Sequence, residues 1–334
     1  MLNNIRCYLK QFLFLFFIVF SLLLSSCTTH IKQEPLGDIS AYTAGDSDKL
    51  IRKYMPVFLV ENDKKNYNLI GAASAEISEN GQEEVSVDPE KPTVYTEIRE
   101  FSTAKSNYTN LIYRIHFNEV PGGFSPFYLG KGKNIGLIII VTLNKQNEPV
   151  LCTSVHTCGC YVAFVPTSYL PESCYLEKWV KERQDIHSES LPHILDFKGD
   201  ESDQAKIFML IRDASHRVKD IWLAPPNSIS KYNVVKAELE PLASLEKLFV
   251  SDNIFTSFYE TAGSRKGYVK GSQKIWERLF MSWWSFDWRV GEDKILGNDK
   301  THGIMFYTSL KPWARDKSDM RDFVSFLNYW GWGL

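Results

Sequence analysis

The chain has no excess of positive charge: its 38 lysines and arginines face 40 aspartates and glutamates, for a formal net charge of −2. With no basic stripe and no RNA-binding aromatic signature, nucleic acid is disfavoured as a partner. Spacings that mark common active sites are missing as well. No serine sits in a G-x-S-x-G elbow, and Pro121-Gly122-Gly123 and Gly130-Lys131-Gly132-Lys133 lack phosphate-loop spacing and read as turns. The cysteines do not show the paired C-x-x-C spacing of a zinc ribbon. No segment repeats, which excludes a solenoid or propeller.

What is present is the composition of a folded protein, 44% hydrophobic and 23% charged over 334 residues. That is enough to bury a core without disulfides or metal. Aromatic residues are unevenly placed. Trp276, Trp283, Trp284, Trp288, Trp313, Trp330 and Trp332 all fall near the C-terminus, which implies either a dense aromatic core or an aromatic surface there.

The N-terminus carries Arg6 and Lys10, then the apolar run from Phe12 to Leu24, then Ser25-Ser26-Cys27. The run is too short for a comfortable spanning helix, which needs about 20 apolar residues, and it has the plan of a signal peptide. Leu24-Ser25-Ser26-Cys27 resembles the lipobox of bacterial lipoproteins. The resemblance covers residues 1–27 and implies cleavage before Cys27, with a diacylglycerol thioether on that cysteine. Several acyl chains would anchor the protein, at about 0.8 kcal/mol per buried methylene. Loss of the two leader cations shifts the net charge to about −4. Thr28 stands where an aspartate would retain an enteric lipoprotein at the inner membrane. The expected address is therefore the cell envelope, facing the periplasm, with the outer membrane favoured over the inner. The alternative is an uncleaved anchor helix.

The expected organisation is a signal peptide over 1–26, a lipidated N-terminus and flexible tether over 27–50, and one β-rich globular domain over 51–334. Strand signals recur at Val57–Val60, Tyr67–Ala75, Val85–Val87, Val94–Ile98, Leu111–Phe117, Ile135–Leu143 and Val150–Val165, with turns between them. They return at Ile207–Ile211 and Arg217–Ala224, after a polar connection over about 175–205. Leu137-Ile138-Ile139-Ile140-Val141 is apolar at every position, which predicts a central strand covered on both faces. Helices are expected after Pro241, after a Ser272 cap with Ile275, Trp276, Leu279, Phe280 and Trp283 on one face, and after Ser318. The fold class is α+β, with an antiparallel, sandwich-like sheet core covered by two or three C-terminal helices.

Reactive side chains concentrate in Cys152-Thr153-Ser154-Val155-His156-Thr157-Cys158-Gly159-Cys160. Read as a strand, residues two apart share a face, so Cys152, His156, Cys158 and Cys160 point one way. Three readings stand. Cys152, Cys158, Cys160 and Cys174 can form disulfides in an oxidising compartment, although neighbours i and i+2 on a flat strand pair poorly. His156, Cys158 and Cys160, with His116 from another strand, can ligate a transition metal such as zinc, provided that Gly159 shortens the span. Cys158 can be a nucleophile with His156 or His116 as base. His216 and His302 read as solvated turn residues, and Asp287, Asp293 and Asp299 as loop formers. The leading functional expectation is a non-catalytic envelope binding or structural module. Its alternative is a metal-binding or thiol-dependent enzyme built on the His156–Cys160 segment.

Overall fold

The computed structural model describes residues 38–45, 49–122, 127–177, 179, 182–198 and 205–334. The leader, Cys27 and the tether up to residue 37 lie outside the described residues. Asp38–Leu334 forms one compact unit. Its strand-forming runs assemble into two main sheets. One is six-stranded, in the order β15 (Glu238–Pro241), β5 (Thr93–Ser102), β6 (Asn107–Val120), β7 (Gly132–Leu143), β8 (Pro149–His156) and β9 (Ala163–Pro166). The other is five-stranded, in the order β13 (Val218–Ala224), β12 (Lys206–Ile211), β2 (Val57–Glu61), β1 (Ile39–Thr43) and β14 (Asn233–Lys236). Pairing is antiparallel except for β1 with β14, β2 with β12 and β5 with β15.

The two sheets face each other. Phe58 and Val60 of β2 and Ile207, Met209 and Ile211 of β12 meet Leu111, Tyr113, Ile115 and Phe117 of β6 and Leu137, Ile139 and Val141 of β7 in one core. Odd-numbered residues of β7 face this core because side chains alternate along a strand. Its even-numbered residues Ile138 and Ile140 enter a second core, closed by Leu296, Phe306, Met320, Phe326, Leu327 and Trp332. The continuous apolar run is thus explained by burial on both faces, and each such aliphatic side chain contributes about 1.5–3 kcal/mol. The cover for the second face is the C-terminal chain, including helix α3 (Phe323–Tyr329). After β14 the chain changes sheets at buried Ala237, whose N–H donates to the Thr43 carbonyl at 2.8 Å. That crossing ties the two sheets together at one edge of the sandwich.

The α+β class and sandwich-like sheets agree with the sequence reading, and several details depart from it. Among the described residues the first strand is Ile39–Thr43, inside the span expected to be tether. Ser40, Ala41 and Tyr42 alternate between neighbours in β2 and β14, so this part of the expected tether is a sheet strand. The run Val150–Val165 is not one strand: β8 ends at His156 and β9 starts at Ala163, with a turn between. Pro241 does not open an α-helix. Leu242–Glu246 forms a short 3-10 turn and Leu248–Ser251 is strand β16. Inside the polar connection lies a hairpin of β10 (Gln184–Ile186) and β11 (Glu189–Leu191).

Two further helices are α1 (Leu50–Lys53) and α2 (Ile275–Ser285). α2 forms where the sequence indicates, but Lys274 occupies the N-cap rather than Ser272. It turns the expected stripe outward: Ile275, Leu279, Phe280 and Trp283 are exposed, while Glu277, Ser282 and Ser285 are buried.

Candidate functional site

The segment that follows β8 is built as a tight turn. The Gly159 N–H donates to the His156 carbonyl at 2.7 Å, and the His156 N–H donates to the Cys160 carbonyl at 3.0 Å. Gly159 has φ +92°, and a Cβ there would lie 2.2 Å from the Tyr307 carbonyl oxygen. Only glycine fits, for both conformational and contact reasons. The turn overrides strand alternation and places Cys158 and Cys160, two residues apart, together on the wall of one cavity.

The turn is held from beneath by residues 293 and 294. The Lys294 N–H donates to the Thr157 carbonyl at 2.9 Å, and Lys294 Nζ donates to the Cys158 carbonyl at 2.6 Å. Thr157 Oγ1 donates to Asp293 Oδ1. Lys274 Nζ lies 3.6 Å from Asp293 Oδ2, and both side chains are buried. Glu277, one turn further along α2, completes the charged cluster. A Cβ on Gly291 would meet its carboxylate at 2.0 Å, so the missing side chain leaves room for that group.

These charges set the chemistry of the thiols. The hydrogen bond from Cys160 lowers the Cys158 thiol below its ordinary value, against burial and with help from Lys274. Cys160 is pushed well up by that same bond and by burial, so it stays protonated and is the donor. Burial alone would lower Lys274, but Cys158, Asp293 and Glu277 together outweigh it and hold the ammonium protonated. Burial raises the Glu277 carboxyl despite Lys274. A lowered thiol beside a raised one is the division of labour between an attacking and a resolving cysteine.

His156, Cys158, Cys160, Lys274 and Glu277 line one cavity of about 670 Å³, a size suited to a small ligand or a side chain. Its walls are largely apolar, with Tyr161, Phe164, Trp179, Trp330 and Trp332 among the lining residues.

The sequence-derived site residues separate into groups. Cys158, Cys160 and His156 do share the cavity. His156 is engaged elsewhere, however: its Nε2 lies 3.2 Å from the His216 carbonyl oxygen, which makes that nitrogen a donor. Burial, then Lys274, drives its pKa well below the usual imidazole value. His116 does not reach the cavity. It is fully buried, with Nε2 accepting from Arg114 Nε at 2.9 Å and the ring edge-on to Phe258. Gly136 lies between His116 and Thr157, its absent Cβ within 2.8 Å of His116 Cε1 and 2.7 Å of Thr157 Cγ2.

Among the described residues no three His, Cys, Asp or Glu side chains converge as a metal site. The expected zinc ligand set of His116, His156, Cys158 and Cys160 does not assemble. The four cysteines expected to form disulfides are all free. Cys152 faces the core between the sheets and Cys174 the core on the opposite face of the six-stranded sheet, so these two cannot pair. His216 is not solvated: it is fully buried and stacks on Phe117 at 3.9 Å. His302 is exposed beside Asp299.

Sequence reasoning missed Lys274, Glu277 and Lys294, and took Asp293 for a loop former. The available signals were Lys274 and Glu277 three apart at the start of a helix, and Asp293 next to Lys294 ahead of an apolar pair. Comparison of the chain with protein-family models, with curated proteins and with solved structures finds no match.

Proposed function

We propose that this chain is a lipid-anchored envelope protein, held through Cys27 and facing the periplasm, whose Cys158–Cys160 dithiol exchanges with the disulfide of a substrate carrying an apolar group. The observation that carries this reading is the tight turn that sets Cys158 and Cys160 on the wall of one cavity that Lys274 also lines. The Cys158 thiolate attacks one sulfur of the substrate disulfide, forming a mixed disulfide and releasing the other sulfur as thiolate. With the negative charge on Cys158 consumed, Cys160 no longer holds its proton for that bond. It gives the proton to the departing thiolate and attacks the Cys158 sulfur. The second substrate thiolate leaves, the substrate is reduced, and Cys158 and Cys160 are joined.

Equilibration with glutathione buffers of graded potential, acid quenching and mass spectrometry test this. A reversible Cys158–Cys160 disulfide is expected, with Cys160→Ala trapping a glutathione adduct on Cys158. Thiols that stay reduced at every potential would sink it. The aromatic walls favour a second reading, a non-catalytic module that binds an apolar ligand in the same cavity. Under that reading, binding of a hydrophobic dye to the cavity is indifferent to Cys158→Ser and to redox state.

A further inference from the structure

We propose that the outward face of α2 and the Pro312–Ala314 turn form a docking surface for an anionic lipid bilayer. α2 is amphipathic, yet its orientation is reversed for a water-facing helix. Its polar Glu277, Ser282 and Ser285 turn inward, and its apolar Ile275, Leu279, Phe280 and Trp283 turn out. Burying the stripe and exposing the serines would satisfy both water and core, so folding stability in water does not account for the arrangement.

The patch continues beyond the helix. Phe286 is the C-cap residue, 79% exposed and in the left-handed region at φ 51°. That conformation favours glycine or asparagine, so a phenylalanine there serves neither the backbone nor the core. Arg315, two residues after the exposed Trp313, donates to the Phe286 carbonyl at 3.4 Å and also bonds the Ser285 carbonyl, which ties this turn to the end of α2. At the other end Trp276 meets Phe127 edge-on at 4.8 Å.

Two features select lipid over a second copy of the chain. Tryptophan and phenylalanine with a basic fringe are the side chains of a helix lying in the membrane interface. Arg278 lies over the exposed Trp288 ring and Arg315 bonds the carbonyls that end α2, while Arg289, Lys311 and Lys317, with Asp287 and Asp316, lie close to these residues in sequence. Two copies meeting face to face would oppose like charges, whereas anionic headgroups complement them. This inference rests on the proposed function in one respect: a lipid on Cys27 would hold the chain at a bilayer. Because Glu277 and Met281 of the same helix line the cavity, docking would put the thiol site next to the lipid surface.

The full protein, reconstituted through its own N-terminus into phosphatidylglycerol vesicles with brominated acyl chains, gives the test. Quenching of tryptophan emission is expected, with loss of that quenching in Leu279→Glu/Trp283→Glu and no change in Phe255→Glu, which alters an exposed hairpin residue that is not part of the patch. Unquenched emission from vesicle-retained protein would overturn the docking while leaving the anchor standing. Concentration-dependent dimers abolished by the double substitution would also overturn it, in favour of a second copy. Retained glutathione exchange in the double variant would separate this surface from the dithiol.

Discussion

At position 159 the backbone sits at φ +92° with the Tyr307 carbonyl against the site of a Cβ, and on this geometry rests the placement of the two thiols on one cavity wall. Gly159→Ala is expected to cost about 2 kcal/mol or more, from left-handed strain together with displacement of the Tyr307 backbone. Urea unfolding measures the loss, and the Cys158–Cys160 crosslink should weaken with it. A second consequence concerns reactivity. Since the bond from Cys160 is the largest influence lowering Cys158, Cys160→Ala should move the alkylation midpoint of Cys158 to higher pH. Iodoacetamide rates against pH give the measurement. Cys152, pushed up to about 12 by burial, supplies an internal thiol that should remain unreactive in the same experiment. An unchanged midpoint would mean that Lys274 alone sets the thiolate.

Among the elements, α2 and α3 make opposite use of apolar residues. Leu279→Lys on the outward face of α2 should change stability by no more than about 0.5 kcal/mol, as at an ordinary exposed position. Phe326→Ala in α3 should cost about 3–5 kcal/mol, because Phe326 is fully buried in the core beneath the six-stranded sheet. Chemical denaturation of both variants decides whether α2 contributes to folding through its apolar face. The contrast also marks what could be read from the sequence. Periodicity located both helices but carries no sign, since it shows that one side differs from the other without showing which meets water. Strands were more legible. The β-branched runs at Val57–Val60 and Ile135–Leu143 and the turn residues between such runs located most of both sheets. The turn over residues 157–162 was hidden because Val150–Val165 is interrupted by a single glycine, and a lone glycine within a strand pattern reads equally as a bulge. Lys274 and Glu277 looked like solvated charges. Only the fold brings the thiols to them, across more than a hundred residues of chain, and Asp293 from beyond the end of α2.

On the scale of the whole molecule, the buried histidines make stability depend on acidity. His116, His156 and His216 are fully or nearly fully buried and held neutral, chiefly by desolvation. Arg114 reinforces this at His116, and Lys274 and Arg217 do so at His156; Asp213 and a backbone bond oppose it at His216, whose value still falls to about 3. Above the ordinary imidazole value of 6.5, neither folded nor unfolded chain binds protons at these sites, and the full stability is present. Below it the unfolded chain takes up protons that the folded chain refuses, so stability is lost as pH falls, by about 1.4 kcal/mol per pH unit for each histidine. Glu277 and Glu292 work in the other direction above 4.5, because burial raises both and the folded state keeps their protons longer. Two carboxyls acting over the lower part of the range do not cancel three histidines acting over all of it. The urea midpoint should therefore decline steadily from pH 7 towards pH 4, and His216→Phe should flatten the decline by removing one titrating site. A midpoint that held level or rose on acidification would show that the imidazoles are charged inside the fold, and with charged imidazoles the Lys274 cluster would have to be balanced differently.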